Sequence, residues 1–308
     1  MGGTTEDNEE NIATISGYLA RVYRAQGQWN KAEKLQSGVL EQRMRVLGVE
    51  HLGTMRAAAN LARTYESQGR WGEAEKLQIE VLEQRRRALG MEHPDTIVAA
   101  GNLAATYGAQ GRWSEAEKLE LVVLEQRQKI LGTEHPDTIT ATANLAATYR
   151  DQGRWNEAEQ LGVDVLEQRK KILGMEHPDT IRAAASLATT YSKQCRWEEA
   201  AFLATQAVQF GLKVLGQQHP HTQRYLRTQA GIYEDLGKKK EAQETRRLLI
   251  SPTTESAPGG SISKVVRSFL HFLCERRPNL RNLTSNNVEI VHAILYDKGC
   301  RTPVIEIN

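Results

Sequence analysis

The chain has 308 residues, of which 40% are hydrophobic, 25% charged and 6% aromatic, with only 8 prolines. Its 40 basic and 38 acidic residues leave a net charge of +2, which gives no reason to expect a nucleic-acid partner. It has no run of about 18 apolar residues to span a membrane, and its first ten residues lack the basic and apolar regions of a signal peptide.

Glu6 stands where a myristoylation signal needs Ser or Thr. Cys195, Cys274 and Cys300 are odd in number and share no metal-ligand spacing. They read as reduced thiols in a cytoplasmic protein. Without secretion, the sequon at Asn282-Leu283-Thr284 carries little weight.

Residues 1–11 read as a disordered N-terminus. From residue 12 to 250 one unit repeats with a period of 42 residues. Trp29, Trp71, Trp113, Trp155 and Trp197 keep the beat. So do the tyrosines from Tyr23 to Tyr233 and the histidines His51, His93, His135, His177 and His219. Markers in phase without slip indicate tandem copies, each burying its apolar face on its neighbours.

The unit from His135 to Gly174 shows the design. Pro136 suits a first helical turn, where its missing N–H has no partner to lose. Asp137 puts negative charge at the positive end of the helix dipole. Ile139, Ala143, Ala146, Ala147 and Tyr149 follow at helical spacing, and Gly153 ends the helix as a left-handed cap.

A second helix starts near Trp155 and stops at Gly174, about 28 Å long against about 20 Å for the first. Glu41/Arg45, Glu83/Arg87, Glu125/Lys129 and Glu167/Lys171 are spaced to pair four apart on its solvent face. Ala104, Ala146 and Ala188 oppose Ala116, Ala158 and Ala200 and allow close approach within a hairpin. The repeated Trp is expected to wedge between successive units, and Cys195 takes the place of a turn glycine.

Leu103-Ala104-x-x-Tyr107 with Gly111 and Ala116, and Leu145-Ala146-x-x-Tyr149 with Gly153 and Ala158, resemble the tetratricopeptide repeat. The 42-residue period, the long second helix and the LG-x-EHPDT link are similar to kinesin light chains, and the same long repeat occurs in sensor regions of receptor-like NTPases. The resemblance implies an all-α, right-handed superhelical solenoid of about six helical hairpins, spanning residues 12–250. Only about ten residues precede the first repeat, so it is expected to stop short of the coiled coil that joins a motor heavy chain, and of a nucleotide-binding half. The segment Gly231 to Lys239 has one residue too many for a P-loop and lacks its Ser or Thr.

The chemistry expected is that of binding. Equivalent histidines in stacked repeats stand too far apart to share one ion, and their place before proline suits helix capping or linking. No catalytic motif is present, so neither enzyme activity nor a cofactor or metal is expected. The resemblance implies that the first helix of each unit lines a concave groove, with Asn60, Asn102 and Asn144 at a position that grips a ligand main chain. An amide offers both donors and acceptors to an extended peptide.

The same register assigns Arg21, Arg24, Arg56, Arg63, Arg150, Arg182, Lys193, Arg224 and Arg227 to the groove, against Glu66, Asp151, Glu234 and Asp235. Guanidinium forks suit carboxylates and phosphates, so an acidic or phosphorylated segment of a partner protein is the expected ligand. Val98, Gly101, Ala105, Gly108 and Ala109 form a smooth central floor for one aromatic anchor. The expected role is a protein–protein interaction scaffold or adaptor. The alternative is a sensor or self-association array, and the oligomeric state is left open.

The sixth unit has Lys239 in place of Trp within Lys238-Lys239-Lys240, which reads as a polar cap. Residues 251–261 have the composition of a flexible linker. Residues 262–308 read as a short helical tail, with helices over about 262–276 and 288–296, the second part faintly resembling an ankyrin unit.

Overall fold

The computed structural model describes residues 5–249, with side chains from residue 15 onward. The chain divides into two units, Met1–Ile250 and Ser251–Asn308, and the described residues lie in the first. The linker and tail expectations fall outside them, as do Cys274 and Cys300.

Twelve helices and no strand are found among the described residues. The order is α1 (Thr5–Ala25), α2 (Trp29–Leu47), α3 (Leu52–Ser67), α4 (Trp71–Leu89), α5 (Pro94–Ala109), α6 (Trp113–Leu131), α7 (Pro136–Asp151), α8 (Trp155–Leu173), α9 (Pro178–Lys193), α10 (Trp197–Val214), α11 (Pro220–Asp235) and α12 (Lys239–Arg247). Each helix packs on the next in the chain, and α1 with α3, α7 with α9 and α9 with α11 also meet. This is a solenoid of six hairpins. First helices α3 to α11 have 16 residues, about 24 Å, and second helices α2 to α8 have 19, about 28 Å.

The N-terminal expectation needs correction, because α1 begins at Thr5, inside the segment read as disordered. Residues 5–11 contain no glycine or proline, and four of the seven (Glu6, Asp7, Glu9, Glu10) are acidic, which suits the positive end of a helix.

The boundaries of the hairpins follow from local chemistry. His51, His93, His135, His177 and His219 are all N-caps, each accepting the N–H two residues on through Nδ1 at 3.0–3.2 Å. Pro94, Pro136, Pro178 and Pro220 then occupy the first helical turn. At the other end Gly153 takes φ +78°, its N–H bonds to the Arg150 carbonyl at 3.0 Å, and the Arg154 N–H bonds to that of Tyr149 at 2.9 Å. That pair of bonds is the Schellman closure, and it repeats at every turn between the helices of a hairpin. Cys195 holds the same left-handed position with φ 61°, the one non-glycine among the described residues to do so.

Small residues bring the two helices of a hairpin together. Ala104, Ala116, Ala158, Ala188 and Ala200 are all buried. The tryptophans differ from expectation: Trp29 is 42% exposed and the other four are half-buried. A Cβ placed on Gly108 or Gly111 would lie 3.7 or 3.9 Å from the Trp113 ring, so the indole packs over the turn of its own hairpin. The rings are therefore half-buried or exposed rather than fully buried, and Trp113 and Trp155 lie beside the turn glycine of their own hairpin.

The repeats are joined by a ladder of side chains. Arg112 Nη1 donates to Glu75 Oε1 at 2.7 Å and to Gln110 Oε1 at 3.0 Å, while Gln110 Nε2 donates to Glu75 Oε2 at 2.9 Å. The Arg112 guanidinium lies 4.2 Å from the centre of the Tyr107 ring and also pairs with Glu115. Glu33/Arg70, Glu117/Arg154 and Glu159/Arg196 form the same rung. Lys129 and Lys171 pair with Glu92 and Glu134 across a repeat boundary, so the expected i,i+4 partners Glu125 and Glu167 are not their salt-bridge partners. A reach across the boundary constrains the angle between units, which a pair within one helix cannot do.

Candidate functional site

The residues assigned to the groove all sit on first helices. Arg21 and Arg24 lie on α1, Arg56, Asn60 and Arg63 on α3, Asn102 on α5, Asn144 and Arg150 on α7, Arg182 and Lys193 on α9, and Arg224 and Arg227 on α11. Asn60 and Asn102 are half-buried and Asn144 is exposed, all at one register position. Arg21, Arg56, Arg63, Lys193 and Arg227 are exposed.

At the N-terminal end, burial, with Arg63 and Arg21 nearby, lowers the pKa of Arg24 below the ordinary guanidinium value, and Glu66 opposes the shift. Two of the four acids assigned to the groove are engaged elsewhere. Glu66 Oε1 accepts from Gln78 Nε2 at 2.5 Å and from Thr106 Oγ1 at 3.0 Å, and Glu234 pairs with Arg246 of α12 at 2.5 Å. Glu234 is thus matched by Arg246, while Glu66 keeps its charge and acts on Arg24.

The structure gathers Asn144, Arg150, Arg182 and Arg224 around one cavity of about 430 Å³ recessed between α7, α9 and α11. Ser186 lines it too, accepting from Arg150 Nη1 at 2.7 Å. Arg182 is held by Asp179 at 2.6 Å, and Arg150 lies 3.6 Å from Asp151. None of the side chains lining the cavity is acidic. On α5 the expected floor is open: Val98 is 44% exposed, Ala105 and Ala109 are exposed, and a Cβ on Gly101 would meet nothing within 4 Å.

Two cavity-lining positions are not legible as such in the sequence. Arg169 is 4% exposed, and its Nη1 donates to the Asp179 carbonyl at 3.1 Å, as Arg43, Arg85 and Arg127 do to equivalent carbonyls. Burial pushes its pKa down, with Arg182 adding to the effect and Asp179 opposing it. Gly162 also lines the cavity. Its register mates Gln36 and Gln78 are 1% and 4% exposed, and Glu120 is 9% exposed. Both positions keep the 42-residue beat, but glutamine and arginine inside a helix look like solvated residues until the packing is known.

Among the described residues, no group of three or more His, Cys, Asp and Glu is arranged to hold a metal, and no helix is long and apolar enough to cross a membrane. The arrangement is a basic recess with one amide, Asn144, in its lining, suited chemically to an anion.

A solenoid of helical hairpins built on one repeated unit defines a helical repeat protein of the protein–protein interaction class. The tetratricopeptide repeat model matches residues 11–78, 60–121, 122–171 and 140–211. The chain belongs to the tetratricopeptide repeat family, in its kinesin light chain-like form. The nearly identical TPR-like repeats of a kinesin light chain-like protein from Podosopora anserina are 30% identical, with a TM-score of 0.58, covering 65% of this chain and 95% of that one. A point variant of the same protein gives 30% and 0.59, covering 66% and 95%. BtubC (BKLC) from P. vanneervenii shares the fold at 17% identity and a TM-score of 0.57, covering 83% of this chain and 98% of that one. The STAND signal-transduction ATPase with a tetratricopeptide repeat sensor from Pyrococcus horikoshii shares it at 14% and 0.58, covering 78% and 36%. No match is found among curated proteins.

Proposed function

We propose that this array is a non-catalytic interaction scaffold that binds an extended, acidic segment of a partner protein across its first helices. The observation that carries the reading is the basic recess where Arg150, Arg182 and Arg224 converge beside Asn144 with no acidic lining. The open α5 floor adds a place for an apolar or aromatic anchor between the charged ends. Binding would be salt-sensitive, because exposed guanidinium–carboxylate attraction is screened within about 8–10 Å at physiological ionic strength.

The test is fluorescence anisotropy of an acidic, aromatic-containing peptide pool with the wild type and with Asn102→Ala/Asn144→Ala at two salt concentrations. Salt-sensitive binding that the double substitution abolishes, at unchanged helicity, supports the groove. Absence of binding at high micromolar peptide refutes it. The second reading, a sensor or self-association array, draws on the shared fold of the STAND sensor repeats. Light scattering over a concentration series distinguishes it, since an array acting through its ends gains mass as concentration rises.

A further inference from the structure

We propose that the cavity at Gly162 is a seat for one phosphorylated side chain, a phosphoserine or phosphothreonine, within the bound partner segment. The proposal deepens the groove reading and rests on it.

The opening belongs to one repeat. In the first two hairpins a buried glutamine on the second helix, Gln36 or Gln78, fills the space beneath the first helices. Gln36 accepts from Thr64 of the next hairpin. Gln78 donates to Glu66, which in turn accepts from Thr106 of the next hairpin. Glu120 fills the third. Gly162 leaves the fourth empty, and a Cβ there would meet only the Leu187 Cδ1 atom, at 3.3 Å. In the fifth the position is Ala204, closed within the core. The recess with polar walls between α7 and α11 thus arises from the one glycine at this register position.

The charge of this recess matches a dianion. Four guanidinium groups line it, from Arg150, Arg169, Arg182 and Arg224. The nearby carboxylates are Asp151 and Asp179, paired with Arg150 and Arg182, so two guanidinium charges stay unmatched. No carboxylate among the described residues pairs with Arg224. A single Asp or Glu of a ligand would neutralise half of that excess, whereas a phosphate monoester carries about −1.5 to −2 at neutral pH with three acceptor oxygens. Guanidinium forks bind such oxygens two at a time. Ala143, Ala146, Ala147 and Ala183 also line the recess, so short side chains flank the guanidinium groups. Recession between three helices favours a side chain carried on an extended peptide over the flat surface of a bilayer.

The experiment titrates the full chain with three fluorescein-labelled acidic peptides, identical except for Ser, phosphoserine or Glu at one position, with phenyl phosphate as a separate probe in calorimetry. Phosphoserine is expected to bind at least about tenfold more tightly than Ser, and Glu only about twofold to threefold. Gly162→Gln, which restores the residue of the first two repeats, should remove the phosphoserine advantage, so that the phosphoserine and Ser peptides bind alike. Arg224→Gln should reduce that advantage to about threefold or less. Circular dichroism checks that both variants keep their helicity.

Acidic peptides that bind without preference for phosphoserine overturn the seat and leave the groove reading intact. So does a Gly162→Gln variant that weakens all three peptides equally. Phenyl phosphate binding that Gly162→Gln abolishes, with no peptide bound, supports the seat and refutes the peptide groove. Binding of neither overturns both.

Discussion

Glu75 and Arg112 meet at 2.7 Å although 37 residues separate them, one on the second helix of a hairpin and the other at the turn of the next. The arginine is simultaneously stacked over Tyr107, so a single side chain ties two hairpins and a turn together. This contact repeats with the period of the fold and transmits the orientation of each unit to its neighbour.

Acid should loosen that coupling. Hydrogen bonds from Arg112 and Gln110 hold the Glu75 carboxyl below its usual range, and those from Gln68 and Arg70 do the same for Glu33. A depressed carboxylate pKa stabilises the fold above the unfolded value and loses that contribution as pH falls through the folded value. Thermal melts followed by circular dichroism are expected to shift downward below about pH 4.5. Glu75→Gln should flatten that acid limb. An unchanged limb would show that the rung carries no stability.

Glu120 has the opposite sign. Burial raises its pKa to about 7, with Glu117 and Asp151 adding to the shift and the Thr148 hydroxyl opposing it. Its Oε2 is buried without a hydrogen-bond partner. The folded state then holds a proton that the unfolded state releases, so stability falls as pH rises from about 4.5 through about 7. Glu120→Gln should stabilise the protein by about 1–2 kcal/mol at pH 8 and by little at pH 4. Urea titrations at the two pH values measure the difference.

Cys195 is held at φ 61° in a turn where its counterparts are glycine. Left-handed backbone costs an L-residue about 1–2 kcal/mol relative to glycine. Cys195→Gly should therefore raise stability by about 1 kcal/mol, read from the denaturant midpoint at constant slope. No gain would mean that the turn relaxes around the side chain.

His135 caps α7 through a 3.1 Å bond from the Asp137 N–H. His135→Ala should cost about 1 kcal/mol and His135→Asn much less, since asparagine is among the preferred N-cap residues. Equal losses from both would place the role of the histidine outside the cap.

The residues legible in sequence are those whose job is local. The helix start at Pro136, the histidine caps and the glycine stops all obey short-range backbone chemistry, so their positions follow from residue type and spacing. The early start of α1 is hidden because an acidic, strongly polar segment carries the marks of both disorder and a helix N-terminus. The tryptophans are less buried than expected because periodicity shows that a ring recurs, without showing how deeply it sits.

The repeating unit is written in the chain alone: two helices, the length of the second, their capped ends and the number of copies. The first helix runs about 24 Å where about 20 Å is expected. What lies between units was settled by packing. There Arg112 finds Glu75, Glu66 is drawn into a bridge with Gln78 and Thr106, and Gly162 leaves a basic recess beneath Arg150, Arg182 and Arg224. The reason is physical. Helix signals act over three or four residues, while these contacts join side chains a dozen or more positions apart, set by the packing angle between helices.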